Sequence, residues 1–321
     1  MRNFWLHTLM VTTIVSLCSC KNSYSQDEHK VLPPYNIEST YQKLKNKYPS
    51  ISPVHLIDTT LTIKKDIVYH KTSTSKLFFD VYFPEITKKT EVFPVVLLVH
   101  GGGWIVGSKK NQHPMAQQLA LNGYVAIPVS YTLSEEATYP AAVIDLKHAI
   151  QYIREHASSL HADPNRIAIL GASAGAQLAT LVGVTPNNTI YRTQSNTSDA
   201  VQAIVNVDGI VSFTHPESEE GTIAGQWLGG TKSENIKNWE EASPLNYVSK
   251  STPPILFLNS SRPRFHAGRD DMITQMNAYD IYSEVHTFSD APHSFWLLNP
   301  WFTPTVFYVI KFLDKTLKHS S

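Results

Sequence analysis

The segment Gly171-Ala172-Ser173-Ala174-Gly175 holds a hydroxyl in a G-x-S-x-G turn. Before it, Arg166-Ile167-Ala168-Ile169-Leu170 reads as a buried strand; behind it, Gln177-Leu178-Ala179-Thr180-Leu181 reads as a helix. A strand–turn–helix setting is what such a turn needs to lift its serine clear of the sheet edge. Serine is a weak nucleophile until geometry exposes it and a base takes its proton, so the spacing points to nucleophilic catalysis. The five residues alone are weak evidence, because small residues crowd many turns. The flanking patterns and a second glycine motif make them specific.

That second motif is Val95-Val96-Leu97-Leu98-Val99-His100-Gly101-Gly102-Gly103-Trp104. Its five apolar residues predict a central strand buried on both faces. Glycines behind the strand let backbone N–H groups approach a ligand without side-chain obstruction. In an acyl-transfer reading, the amides of Gly102 and Gly103 join that of Ala174 to receive the oxyanion of a tetrahedral intermediate. Each such donor is worth about 10²–10³ in turnover. The plainer alternative is a phosphate-binding strand exit, but the stretch lacks the Lys-Ser/Thr of a P-loop and the G-x-G-x-x-G spacing.

The serine needs a base, and the chain offers 14 histidines. His293 is singled out by its setting. The strand-like run Ser283-Glu284-Val285-His286-Thr287-Phe288 leads into Ser289-Asp290-Ala291-Pro292-His293-Ser294-Phe295, a turn with an aromatic flank. Where the nucleophile sits on a strand-to-helix turn, the chain order runs serine first and histidine last. His286 falls within the strand and reads as structural. His100 opens the glycine loop and reads as a residue that holds it by hydrogen bonds.

These motifs and their order resemble the α/β-hydrolase superfamily, and within it the carbohydrate-esterase branch related to bifunctional acetyl xylan and feruloyl esterases. Further support comes from Leu77-Phe78-Phe79-Asp80-Val81-Tyr82-Phe83-Pro84 and Tyr139-Pro140-Ala141-Ala142-Val143-Ile144-Asp145. Ala242-Ser243-Pro244-Leu245-Asn246-Tyr247-Val248, running into Pro253-Pro254-Ile255-Leu256-Phe257-Leu258, matches as well. The similarity covers residues 57–317. It implies an α/β-hydrolase fold with a mostly parallel central sheet and helices on both faces, and ester chemistry; it says much less about the substrate.

The chain departs from that pattern at the acid that should orient the histidine. After the Pro-Pro strand the family places an acid in a short G-x-x-D loop, whereas this chain runs Asn259-Ser260-Ser261-Arg262-Pro263-Arg264-Phe265-His266-Ala267-Gly268-Arg269-Asp270-Asp271. Asp208, directly after the strand-like Ala203-Ile204-Val205-Asn206-Val207, is the preferred candidate. Asp270 and Asp271 are the alternatives if the long loop carries them back. Each has a plainer reading, Asp208 as half of an Asp-Gly turn and Asp270 as a helix N-cap. Asp145 reads as a structural helix residue.

The elements that must position these groups follow from the alternation of strand and helix patterns, with strands near Val95, Tyr124, Arg166, Ala203, Ile255 and Tyr282. Such alternation predicts a mostly parallel sheet with helices on both faces. Two runs, 61–69 and 77–83, read as antiparallel edge strands ahead of it. Residues 213–241 break the alternation and read as a cap or substrate-facing insertion, or as a plain surface loop. A chain of 321 residues with 42% hydrophobic content can bury one large core, so residues 55–321 read as a single domain.

Residues 26–54, polar and carrying Pro33, Pro34 and Pro49, read as a tether with one short helix. Residues 1–25 read as an export segment, too short in its apolar part to span a bilayer. It includes Leu17-Cys18-Ser19-Cys20, which resembles a bacterial lipobox with Cys20 as the lipidated residue and would attach the protein to a membrane; ordinary cleavage after Ser23-Tyr24-Ser25 competes. The two cysteines of the chain both lie here, so the mature domain is expected to have no disulfide. The expected location is the periplasm or outer membrane of a Gram-negative bacterium, or the medium.

The formal net charge is zero, with 27 basic and 27 acidic residues, which gives no electrostatic footprint for nucleic acid. No H-E-x-x-H and no cysteine cluster calls for a metal, and no organic cofactor is expected. The resemblance implies a polysaccharide or oligosaccharide ester as substrate, with acetyl groups on pectin or xylan foremost. Arg262, Arg264, His266 and Arg269 form a basic cluster beside the expected rim, where arginines could pair with uronate carboxylates and favour pectin. Equally, they could be solvated. Trp104, Trp296 and Trp301 could stack on sugar rings, although such residues more often fill the core. A general short-chain carboxylesterase or lipase is the alternative reading, and a non-catalytic glycan-binding module is the alternative of another class.

Overall fold

The computed structural model describes Met1, residues 33–72 and residues 75–318. The described residues from Pro34 onward form one compact unit. The export segment expected over residues 1–25, with Cys20, lies outside the described residues apart from Met1.

Helix α1 (Ile37–Leu44) and the short strand β1 (Ser52–Pro53) precede β2 (Ile63–Lys71) and β3 (Lys76–Tyr82). Alternation then sets in with β4 (Phe93–Val99), α2 (His113–Leu121), β5 (Val125–Val129), α3 (Ala141–Glu155), β6 (Ala162–Ala172), α4 (Ala174–Val184) and β7 (Ala203–Val207). Two short helices, α5 (Thr222–Leu228) and α6 (Ile236–Glu241), interrupt it before β8 (Ile255–Ser260). The chain closes with α7 (Arg269–Asn277), β9 (Ser283–Phe288), β10 (Leu298–Asn299) and α8 (Phe302–Leu313).

Eight strands form one sheet in the order β2-β3-β5-β4-β6-β7-β8-β9. All pairs from β5 to β9 are parallel, and β3 alone runs against both its neighbours. Of the two strands expected at the edge, only β2 is there. β3 is interior, because Phe79, Val81 and Tyr82 are buried and Phe79 and Tyr82 pair with Val129 and Ala126 of β5.

The strand period of two sorts the core into two layers. Val95, Leu97 and Val99 of β4 pack with Leu146 and Ile150 of α3 and Leu178 of α4. Val96 and Leu98 pack on the other face with Leu119 of α2 and Val309 and Phe312 of α8. Each such side chain gains about 1.5–3 kcal/mol from burial. With helices closing both faces, the strand ends are left as the open edge where side chains can meet.

The segment read as a tether is, in its described part, docked on the second layer. Ile51 and Val54 are buried there, and Ser52 and Pro53 pair with Asn299 and Leu298. Tyr35, Ile37, Tyr41, Leu44 and Tyr48 pack against the same core. Their spacing was masked by the polar residues and prolines between them.

Candidate active site

Parallel register brings the ends of β6, β7 and β8 to one level: Ala172 is opposite Val207, and Val207 is opposite Leu258. Ser173 and Asp208 are each the residue after a strand end, and so they are neighbours on the open edge. The Ser173 amide donates to the Val207 carbonyl at 2.9 Å, and the Asp208 amide to the Leu258 carbonyl at 2.8 Å.

Ser173 has φ 55° and ψ −123°, the sharp turn expected of a strand-to-helix elbow. For a residue with a Cβ, that conformation costs about 1–3 kcal/mol. It holds because the glycines around it let backbones touch. A Cβ on Gly171 would collide with the Gly175 carbonyl, and one on Gly175 with the carbonyls of Val99 and His100. Gly175→Ala is therefore expected to destabilise the protein by about 1–3 kcal/mol through overpacking. Calorimetry should record a Tm lower by several degrees; an unchanged Tm would mean that α4 and the glycine loop are not in this close contact.

The three residues preferred from sequence converge. Ser173 Oγ is 2.8 Å from His293 Nε2, and His293 Nδ1 is 2.7 Å from Asp208 Oδ2. A carboxylate only accepts, so Nδ1 carries the proton and donates it, which leaves Nε2 to accept from the serine hydroxyl. Asp208 is fully buried and accepts twice more, from the Ser260 amide on Oδ1 at 2.9 Å and the Ser260 hydroxyl on Oδ2 at 2.8 Å. The Phe265 ring stacks on His293 with centroids 3.5 Å apart, and Trp296 meets it edge-on at 5.2 Å.

Asp270 and Asp271 do not reach the histidine. Asp270 pairs with Arg269 at 2.7 Å, and Asp271 lies 3.4 Å from His215. Both sit in the first turn of α7, where a negative charge meets the positive end of the helix dipole.

The glycine loop is held from several sides. His100 is buried, stacks on Tyr131 at 4.4 Å, and forms a hydrogen bond with the Gly101 carbonyl at 2.8 Å. Burial pulls its pKa down to about 4, against the opposite pull of that bond, so the ring stays neutral and holds the loop. Beyond the loop, buried Asp80 binds Lys109 and His113 and fixes the chain entering α2. Gly102 and Gly103 have φ of 126° and 60°, open to glycine without strain. Ala174 is the first residue of α4, where amides lack a partner inside the helix. Among the described residues, no group accepts from the amides of Gly102, Gly103 or Ala174.

Ser173, Gly103 and Ala174 line a cavity of about 320 Å³ whose inner wall includes Trp104, Gln177 and Ile210. Trp104 is buried; its Nε1 donates to Gln177 at 3.0 Å, and it stacks on Trp227 of α5 at 4.9 Å. Gly102 is not part of this lining. Neither is Trp296, which is buried against His293 and gives a sugar ring no free face.

The basic cluster divides. Arg264 lines the cavity, but its guanidinium pairs with Glu220 at 3.1 Å and Glu219 at 3.7 Å and lies over Phe265. Arg262 is exposed and outside the lining, and His266 is half-buried away from it. Burial and the neighbouring Arg269 hold the His266 pKa below its ordinary value. Arg269 itself is engaged by Asn259 at 2.9 Å and by Asp270. Of the cluster, Arg264 is the member that lines the cavity.

Phe265, Ser260 and the wall formed by Glu220, Gly221, Thr222 and Ile223 were not anticipated individually. The wall lies within residues 213–241, whose broken alternation was the one available signal. Nothing in the sequence marks Ser260, because its role depends on a carboxylate 52 positions away.

A family model described as BD-FAE matches residues 79–282. A probable carboxylic ester hydrolase, LipM, of Mycobacterium tuberculosis is 29% identical over 211 residues, which covers 63% of this chain and 47% of LipM. The chain thus spans about half the length of the curated relative it matches. Among solved structures, a thermophilic esterase from Thermogutta terrifontis with propionate bound superposes with a TM-score of 0.67 at 22% identity, covering 79% of this chain and 94% of that one. A bifunctional GH43-CE protein of Bacteroides eggerthii gives 0.68 at 22% identity over 79% of this chain and 38% of its own. At such identities the structural likeness concerns the fold: a mostly parallel sheet flanked by helices, as in α/β hydrolases.

Proposed function

The chain belongs to the BD-FAE family, and from that premise we propose that it is a serine esterase that removes small acyl groups, acetyl foremost, from a plant cell-wall polysaccharide. The observation that carries the reading is the unbroken chain from Ser173 Oγ through His293 to Asp208, at 2.8 Å and 2.7 Å, at the wall of a cavity. His293 Nε2 takes the proton as Ser173 Oγ bonds to the ester carbonyl carbon. The carbonyl oxygen becomes an oxyanion received by the free amides of Gly103 and Ala174, with Gly102 beside them. Collapse of the intermediate breaks the bond to the alcohol oxygen, which takes the proton back from His293. Water, deprotonated by His293, then attacks the acyl-serine and releases the acid.

The pairing of Arg264 with Glu220 and Glu219 bears on the substrate. A cation already offset by two carboxylates offers little to a uronate, so the wall suits a neutral acetylated glycan such as xylan better than pectin. Arg264→Ala is accordingly expected to lower turnover on acetylated pectin, acetylated xylan and nitrophenyl acetate by a common factor of about 2–5, as for a partly exposed ion pair. A loss confined to pectin would instead establish uronate recognition. Export, read from residues 1–25, would bring such polymers within reach. The broader reading of a short-chain carboxylesterase is favoured by the small cavity and the name of the mycobacterial relative. Acetate released from xylan faster than ferulate from an arabinoxylan would support the acetyl reading, and absence of any ester turnover would overturn the proposal.

A further inference from the structure

Ser260 closes β8, at the place where the family resemblance leads one to expect the acid. Here the acid stands across from it at the end of β7, and Ser260 donates to both of its oxygens: amide to Oδ1 at 2.9 Å, hydroxyl to Oδ2 at 2.8 Å. Both residues are fully buried. Oδ2 is also the oxygen that accepts from His293. We propose that Ser260 is a positioning residue acting through Asp208: its two donors clamp the carboxylate so that Oδ2 is aimed at the imidazole. The inference rests on the serine-esterase reading and deepens it.

Fixing both oxygens stops the carboxylate from rotating about its Cβ–Cγ bond, so the imidazole keeps the orientation in which Nε2 faces Ser173. The other ionisable groups beside the pair are His266, which responds to the Asp208 charge, Arg264 with its Glu220 partner, and Arg269, held by Asn259 and Asp270. None of them binds Ser260.

The test is Ser260→Ala, assayed with nitrophenyl acetate. The expected result is a kcat lower by about 10-fold with KM little changed, the loss of one hydrogen bond to a charged group. A cycle with Asp208→Asn isolates the route: once Asp208 is altered, removing the hydroxyl should cost almost nothing more. Multiplying losses, or wild-type kcat in Ser260→Ala, would overturn the proposal. If that variant fails to fold, Ser260→Cys, similar in size with a poor donor, must show the same fall in kcat, and wild-type kcat there overturns it equally. Unmodified protein inert toward nitrophenyl acetate would remove the esterase reading, and this inference with it.

Discussion

Asp208→Asn is expected to lower kcat by about 10⁴, while Asp270→Asn and Asp271→Asn leave it unchanged. Asparagine matches aspartate in shape but presents an NH₂ group as well as an oxygen. With Ser260 donating to both positions, the amide cannot satisfy the clamp and also accept from His293 Nδ1. The imidazole is then driven toward the tautomer with its proton on Nε2, where it cannot take the proton of Ser173. Because Asp208 is fully buried, stability must be measured beside activity. The prediction is a folded variant with unfolding cooperativity retained and the chemical step lost. Asp270 and Asp271, in the first turn of α7, serve as controls because their partners are Arg269 and His215, not His293. Full turnover in Asp208→Asn, or a comparable loss in either control, would show that another carboxylate orients the histidine.

Ser173→Ala should have the larger effect, a fall in kcat of about 10⁵–10⁶. The other hydroxyl at the cavity wall is that of Thr222, whereas the hydroxyl bonded to His293 Nε2 is that of Ser173, so the variant has no activated hydroxyl to form the acyl intermediate. Residual turnover above the uncatalysed rate is still expected from oxyanion stabilisation by the glycine loop and Ala174. The measurement pairs steady-state hydrolysis with covalent labelling by a fluorophosphonate. Wild type should be labelled at one serine and Ser173→Ala not at all. Stability should be almost unchanged, because the backbone strain at φ 55° is common to serine and alanine. Labelling that persists in the variant would move the nucleophile elsewhere.

The two experiments bear unequally on what could be read beforehand. Ser173, the glycine loop and His293 are written in contiguous residues: a strand pattern, a turn of small residues, a helix pattern, and a histidine in the loop after the last strand. Local rules govern each of them, so the string suffices. The layered fold follows for the same reason, from the alternation of apolar periods along β4 and its neighbours.

Other features depend on which residues are neighbours across strands. Three aspartates had comparable local credentials, and only the level at which β7 and β8 end beside β6 brings Asp208, with Ser260, under the imidazole. The charge of Arg264 is visible in the string, but its partner Glu220 lies 44 positions away. So the arginine of the cluster that lines the cavity is already paired with a carboxylate. The docking of Tyr35 to Val54 on the second layer likewise depends on a pocket assembled by residues near the opposite end of the chain. A motif states a chemistry because it needs only backbone bending within a few residues. The acid, the wall and the charge balance are long-range properties, decided by the register of the parallel strands and by which side chains that register leaves within hydrogen-bond reach.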